Sequence, residues 1–317
     1  MNEATVNNYK ENGIKEYEFM AFLDKKTSPQ CRELDGKVIS ISEYKAGLNF
    51  PPLHPNCRSC IVPVIEDIVI EKPKENIKEV KEDNPIDILV SKGVKIDLDS
   101  LKNIDEKLLN ENMKQLNYLI DKYPIVKDYI QEKTLKFGVK NIKGSTIAQI
   151  ESNIHKESIN LFLNEAYYKD YNSFIKDTAN NVLNGWSSKG IEKYFPVQTL
   201  THEFGHILHD CIIHNYNKEN PQKLEKVVNS SLKGSLSAGK KKLRDYQLKI
   251  VREYNNEMKS IAKMIDKEFS IEKSLSRYGK TDSFEFFAEC FAEYECGANT
   301  TISKAMEQVL RKEGLIK

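Results

Sequence analysis

The chain has 317 residues, enough for two compact domains or for one large domain with an appendage. With 39% hydrophobic and 30% charged residues it has the composition of a globular protein, and 48 basic against 47 acidic side chains leave a net charge of +1, so no overall field draws it onto nucleic acid or an anionic membrane. No run of about 18 apolar residues occurs, and MNEATVNNYKENG has no apolar stretch after a basic start, so neither a helical membrane span nor a classical signal peptide is expected; synthesis in the cytoplasm, with six reduced cysteines, is the expectation.

Residues 1–66 read as a small, turn-rich module. KEYEFMAFLDKK has a helical pattern, TSPQC reads as a turn, GKVISIS as a strand, the proline-dense LNFPPLHPNCRSC as a loop, and IVPVI as a short strand. Residues 67–103 include EKPKENIKEVKEDNP, a composition too polar to offset chain entropy by burial. They read as a charged linker with one short apolar contact at Ile86 to Val90. From residue 104, Leu108, Leu109, Met113, Leu116, Leu119 and Ile120 recur at helical spacing until Pro124 interrupts them. Between Leu135 and Leu163 the alternation predicts short strands separated by Gly and Asn turns, and the remainder is helical, with Gly234 and Gly239 breaking a Lys-rich segment at SLKGSLSAGKKK. The fold class expected for 104–317 is α+β.

The chemistry concentrates in two segments. LTHEFGHILHDCI holds His202, Glu203 and His206 as HExxH; on a helix, residues four apart share a face, so both imidazoles reach one ion while Glu203 sits beside it. Leu200, Phe204, Ile207, Leu208, Cys211 and Ile212 give that helix an apolar stripe, with Thr199 or Thr201 as the expected N-cap. Four of the six histidines fall between 202 and 214, which core packing does not explain. A catalytic zinc takes three protein ligands, and SRYGKTDSFEFFAECFAEYE offers the third. Glu285 and Glu289 stand one turn apart in a helix that is otherwise apolar nearly all round, and a buried carboxylate must be paired, protonated or coordinated. Glu285 is the expected ligand. A solvated stripe of Glu285, Glu289 and Glu293 is the alternative reading, and His209 and His214 the alternative ligands.

HEFGH followed by SRYGKTDSFEFFAECF resembles the zincin catalytic domain of anthrax lethal factor and related toxins, over about the last 120 residues. The resemblance implies a zinc metallopeptidase with a small sheet ahead of the motif helix. In it Glu285 completes the metal set, Glu289 orients the site and Tyr278 assists the transition state. It further implies that the edge strand ahead of the motif helix takes an extended protein or peptide substrate, for which Ser158 to Asn164 is the candidate. Glu203 is then the base, Tyr278 the donor to the developing oxyanion, and Zn2+ the cofactor.

DKKTSPQCRELDGKVISI and GLNFPPLHPNCRSCIVPV resemble Mu-F-type phage minor head proteins over residues 8–66, through Asp24, Thr27, Cys31, Leu34 to Lys37 and the loop from Pro51 to Arg58. A truncated head morphogenesis module of phage or prophage origin is implied. With it come association with the capsid or portal, a place in the virion or delivery into a target cell, and fusion to a toxin-like domain that an immunity protein restrains. A phage head-associated structural or delivery protein whose C-terminal part binds without cleaving is the alternative. Cys31, His54, Cys57 and Cys60 offer four soft ligands for a second, structural zinc, or a metal-free loop held by its prolines.

Overall fold

A computed structural model describes residues 15–21, 26–64, 84–152 and 158–316, and the chain divides into two units, Met1–Val80 and Lys81–Lys317. Asp24 and residues 67–83 of the expected linker lie outside the described residues. No helix among the described residues is long and apolar enough to cross a membrane.

The first unit is a three-stranded antiparallel sheet, β1 (Glu16–Met20), β2 (Val38–Ser40) and β3 (Cys60–Val64), in the order β2-β1-β3. The helix expected over KEYEFMAFLDKK is a strand where it is described. Tyr17 and Phe19 are fully buried and alternate with Glu16, Glu18 and Met20, so the period that wins is two rather than 3.6. TSPQC, expected as a turn, opens a helix instead. Ser28 accepts the Cys31 N–H (3.2 Å) as N-cap and Pro29 takes the first helical position of α1 (Pro29–Leu34). Tyr17, Ile41 and Phe50 form a small cluster, with the Tyr17 and Phe50 rings edge-on at 5.5 Å.

The second unit starts inside the expected linker. Asn84 caps α2 (Pro85–Ser91), whose Leu89 is fully buried, and β4 (Lys95–Ile96) joins the sheet, so the linker expected over 67–103 does not extend through 84–103. The apolar contact expected at Ile86 to Val90 is thus part of a helix of about two turns seated on the helix that follows. Then come α3 (Glu106–Lys122) and α4 (Pro124–Glu132), where Pro124 ends one helix by beginning the next.

Strands β5 (Thr134–Lys140), β6 (Ala148–Glu151) and β7 (Ser158–Asn164) complete a four-stranded sheet in the order β4-β5-β7-β6. The edge strand is therefore not Ser158–Asn164. β7 runs parallel to β5 in the interior, and β6 lies antiparallel on its outer side, from Ala148 opposite Leu163 to Glu151 opposite Asn160. Buried Asn164 sets this return: its side chain donates to Ile142 O (2.9 Å) and Thr146 O (2.6 Å) and accepts from Ile142 N (3.2 Å), which closes the loop between β5 and β6.

The helices α5 (Tyr171–Leu183), α6 (Gln198–Glu219), α7 (Pro221–Ser231), α8 (Leu236–Ile265), α9 (Ile271–Ser274), α10 (Ser283–Glu295) and α11 (Thr301–Lys312) follow. Gly234 does lie in the break between α7 and α8. Gly239 is inside α8, where an added Cβ would stand 2.6 Å from Ser231 O, so it admits the close approach of the two helices rather than ending one.

Candidate metal centre

Two buried helices build the site. Neither threonine caps α6; a 3-10 turn over Glu192–Val197 leads straight into it, and Thr201 instead bonds Val197 O (2.8 Å). The helix is buried on most of its circumference, so the apolar stripe read from sequence is only part of its contact surface. Asp282 caps α10 through Phe284 N (2.8 Å) and Glu285 N (3.1 Å), placing Glu285 in its first turn. The two helices cross at Gly205, where a Cβ would stand 2.9 Å from Ala288 Cα and 3.2 Å from Ala288 Cβ. Gly205 thus trades helix propensity for close approach, and Phe204 stacks on Phe291 at 6.0 Å beside it.

At this crossing the expected donors converge. His202 Nε2 lies 3.2 Å from His206 Nε2 and 3.2 Å from Glu285 Oε2, and His206 Nε2 lies 3.3 Å from the same oxygen. Zinc with bonds of about 2.0–2.2 Å to nitrogen and oxygen in a tetrahedron requires donors about 3.3–3.5 Å apart, so this triangle fits one ion. Glu285 Oε2 is buried and receives no well-aligned hydrogen bond, an orphan that a cation would satisfy. The electrostatics agree. Burial disfavours charge on His202, yet the facing carboxylates of Glu285, Glu289 and Glu203 outweigh it and push the imidazole up to about 10. Burial likewise works against the Glu285 carboxylate, and the two imidazoles nevertheless hold it far below its ordinary range. The cluster is built to hold positive charge.

Each imidazole is oriented from behind. His202 Nδ1 lies 2.8 Å from Glu289 Oε1, and Ser276 donates to Glu289 Oε2 (2.6 Å). His206 Nδ1 meets His209 Nε2 at 2.9 Å, His209 Nδ1 lies 3.2 Å from Asp210 Oδ1, and Ser152 donates to Asp210 Oδ2. With His206 Nε2 turned to His202 and Glu285, its Nδ1–H donates to His209, whose own Nδ1–H then faces Asp210. His209 stacks on Phe284 at 4.6 Å, and His214 instead pairs with Glu132 at 2.8 Å. The solvated glutamate stripe is ruled out. Glu289 is 2% and Glu293 0% exposed, and Glu293 accepts from Thr300 (2.6 Å).

Tyr278 enters from a 3-10 turn over Tyr278–Lys280, its ring 5.6 Å from that of His202 and 5.9 Å from Trp186. Gly279 lets this turn lie on α10, since a Cβ there would stand 3.1 Å from Glu289 Cβ and Cγ. Burial and the charges of Glu285, Glu203 and Glu289 hold the phenol above its ordinary range, hence protonated. Glu203, Tyr278, Thr146 and Ala148 are shared by two cavities of about 910 Å³ each, one reaching His202 and Glu289 and the other His206, Glu285 and strand β6. Asn181, Trp186 and Arg277 line one; Lys143, Lys240 and Arg244 line the other. Trp186, Ser152 and β6 were not anticipated as parts of the site. The one signal for Trp186 is that it is the only tryptophan, in the Gly- and Ser-rich stretch NGWSSKG.

In the first unit Cys31, His54 and Cys57 also bring donor atoms within 4.8 Å of one another, whereas Cys60 is exposed and stands outside the group.

Residues 1–62 match the family model described as Phage Mu protein F like protein. No curated protein and no solved structure matches the chain.

Proposed function

We propose that the second unit is a zinc-dependent metalloendopeptidase with a zincin-like site, carried by a protein of phage or prophage origin as a toxin-like effector. The observation that carries this reading is the convergence of His202 Nε2, His206 Nε2 and Glu285 Oε2 at tetrahedral spacing on two buried helices. Two imidazoles and one carboxylate suit zinc, and zinc held there supplies Lewis acidity and an acidified water. Glu203, next to His202 on α6, takes the proton of the attacking water and returns it to the leaving nitrogen. The protonated Tyr278 donates a hydrogen bond to the oxyanion, an interaction worth about 10²–10³ in rate. β6 presents a sheet edge, and the two cavities that share Glu203 and Tyr278 let an extended polypeptide run through, bound by strand addition.

The match over residues 1–62 supports association with a phage capsid or portal and carriage with the virion. It also favours a second reading, a head-associated protein whose C-terminal unit binds without cleaving. Profiling new protein N-termini in cells expressing the wild type or Glu203→Ala separates the two. The peptidase reading expects cleavage sites that drop at least about 10²-fold in the variant; indistinguishable profiles would leave the binding role.

A further inference from the structure

The donor cluster of the first unit repeats the geometric test with softer atoms. Cys31 Sγ lies 3.7 Å from Cys57 Sγ and 3.3 Å from His54 Nε2. A tetrahedral zinc with bonds of about 2.3 Å to sulfur and about 2.0–2.1 Å to nitrogen sets sulfur pairs about 3.8 Å apart and sulfur–nitrogen pairs about 3.5 Å apart. A disulfide would need the two sulfurs at about 2.05 Å, with the imidazole left over.

Local structure delivers each donor ready for use. Pro29 at the first helical position and the Ser28 cap fix Cys31 in the first turn of α1. His54-Pro55-Asn56-Cys57 closes a turn through Cys57 N to His54 O (3.1 Å), with proline first and Asn56 at φ 65° second, the type II arrangement that sets His54 beside Cys57. His54 Nδ1 lies 2.9 Å from Pro55 O. A carbonyl only accepts, so Nδ1 carries the proton and the Nε2 lone pair is what faces Cys31. A sheet whose buried cluster is Tyr17, Ile41 and Phe50 is also the kind of small core that a metal crosslink completes.

We propose that Cys31, His54 and Cys57 bind a zinc ion that pins the proline-rich loop to the first turn of α1, the three side chains supplying three of its coordination positions. The site is separate from the centre on α6 and α10 and does not depend on it. The test uses the full chain, zinc analysis by mass spectrometry, and cobalt(II) substitution, in which thiolate ligands announce themselves by a sulfur-to-cobalt charge-transfer band. Wild type is expected to bind two equivalents. His206→Ala should lose one and keep the band; Cys31→Ser and Cys57→Ser should each abolish the band and keep the other equivalent; Cys60→Ser should keep both.

A His206→Ala protein without the band overturns the proposal, as does a Cys31–Cys57 disulfide in protein purified under reducing conditions. Loss of the band in Cys60→Ser overturns the three-donor assignment. Because the band is read in His206→Ala, failure of the peptidase reading leaves this test intact.

Discussion

The His202, His206 and Glu285 cluster stands on two helices of 22 and 13 residues, whereas Cys31, His54 and Cys57 stand on one turn and the start of a six-residue helix. In the first case 3.6-residue periodicity fixes which side chains share a face, and burial forces every carboxylate on α10 to find a partner. In the second, placement depends on one cap and on a positive φ at Asn56. A helix-built site can hold a catalytic ion against water and substrate; a turn-built site can staple a small sheet.

That contrast can be broken most sharply at Glu285. Glu285→Gln keeps the volume but removes the charge that His202 and His206 face, and the second-unit zinc should weaken by more than the roughly 10- to 100-fold that loss of an outer partner costs. Chelator competition measures it; unchanged affinity would move the third ligand to Glu289 or His209. Next in size is Glu293, which burial pushes up to about 7 against the hydrogen bond from Thr300. Between about 4.3 and about 7 the native chain keeps a proton that the unfolded chain has lost, so stability falls as pH rises through that window, by on the order of 3 kcal/mol. Denaturant midpoints at pH 5 and pH 8 should differ less in Glu293→Gln than in wild type. The same pH difference in both proteins would show that Glu293 is ionised in the fold.

His209→Ala removes the group behind His206, and about a 10- to 100-fold loss of zinc affinity is expected with the fold retained by circular dichroism. Wild-type affinity would mean that the chain through Asp210 to Ser152 packs the helix without tuning the ion. The smallest effect is at the crossing. Gly205→Ala gains roughly 1 kcal/mol of helix propensity but meets Ala288, and overpacking of about 1–3 kcal/mol should leave it less stable in a denaturant melt. A more stable variant would mean that α10 yields easily.

The same contrast explains what the sequence made legible. HExxH spacing and the apolar surroundings of Glu285 and Glu289 carried the donor set, because helical periodicity and the cost of a buried charge are both local. The edge strand was misplaced because strand order depends on where the chain returns, and that return is set by one side chain, Asn164, bonding backbone 18 and 22 residues away. KEYEFMAFLDKK suits a helix as well as a strand in sequence, because its alternation is short and flanked by charges that suit either period. Cys-x-x-Cys spacing adds Cys60 to the cysteine set, whereas the donor atoms within 4.8 Å of one another are those of Cys31, His54 and Cys57.

Anomalous diffraction at the zinc edge from crystals of the full chain tests the central claim most directly. A peak is expected about 2.0–2.2 Å from His202 Nε2, His206 Nε2 and a Glu285 oxygen, with Glu289 bonded only to His202 and Ser276. No peak between the two helices, or one that Glu289 ligates in place of Glu285, would contradict it.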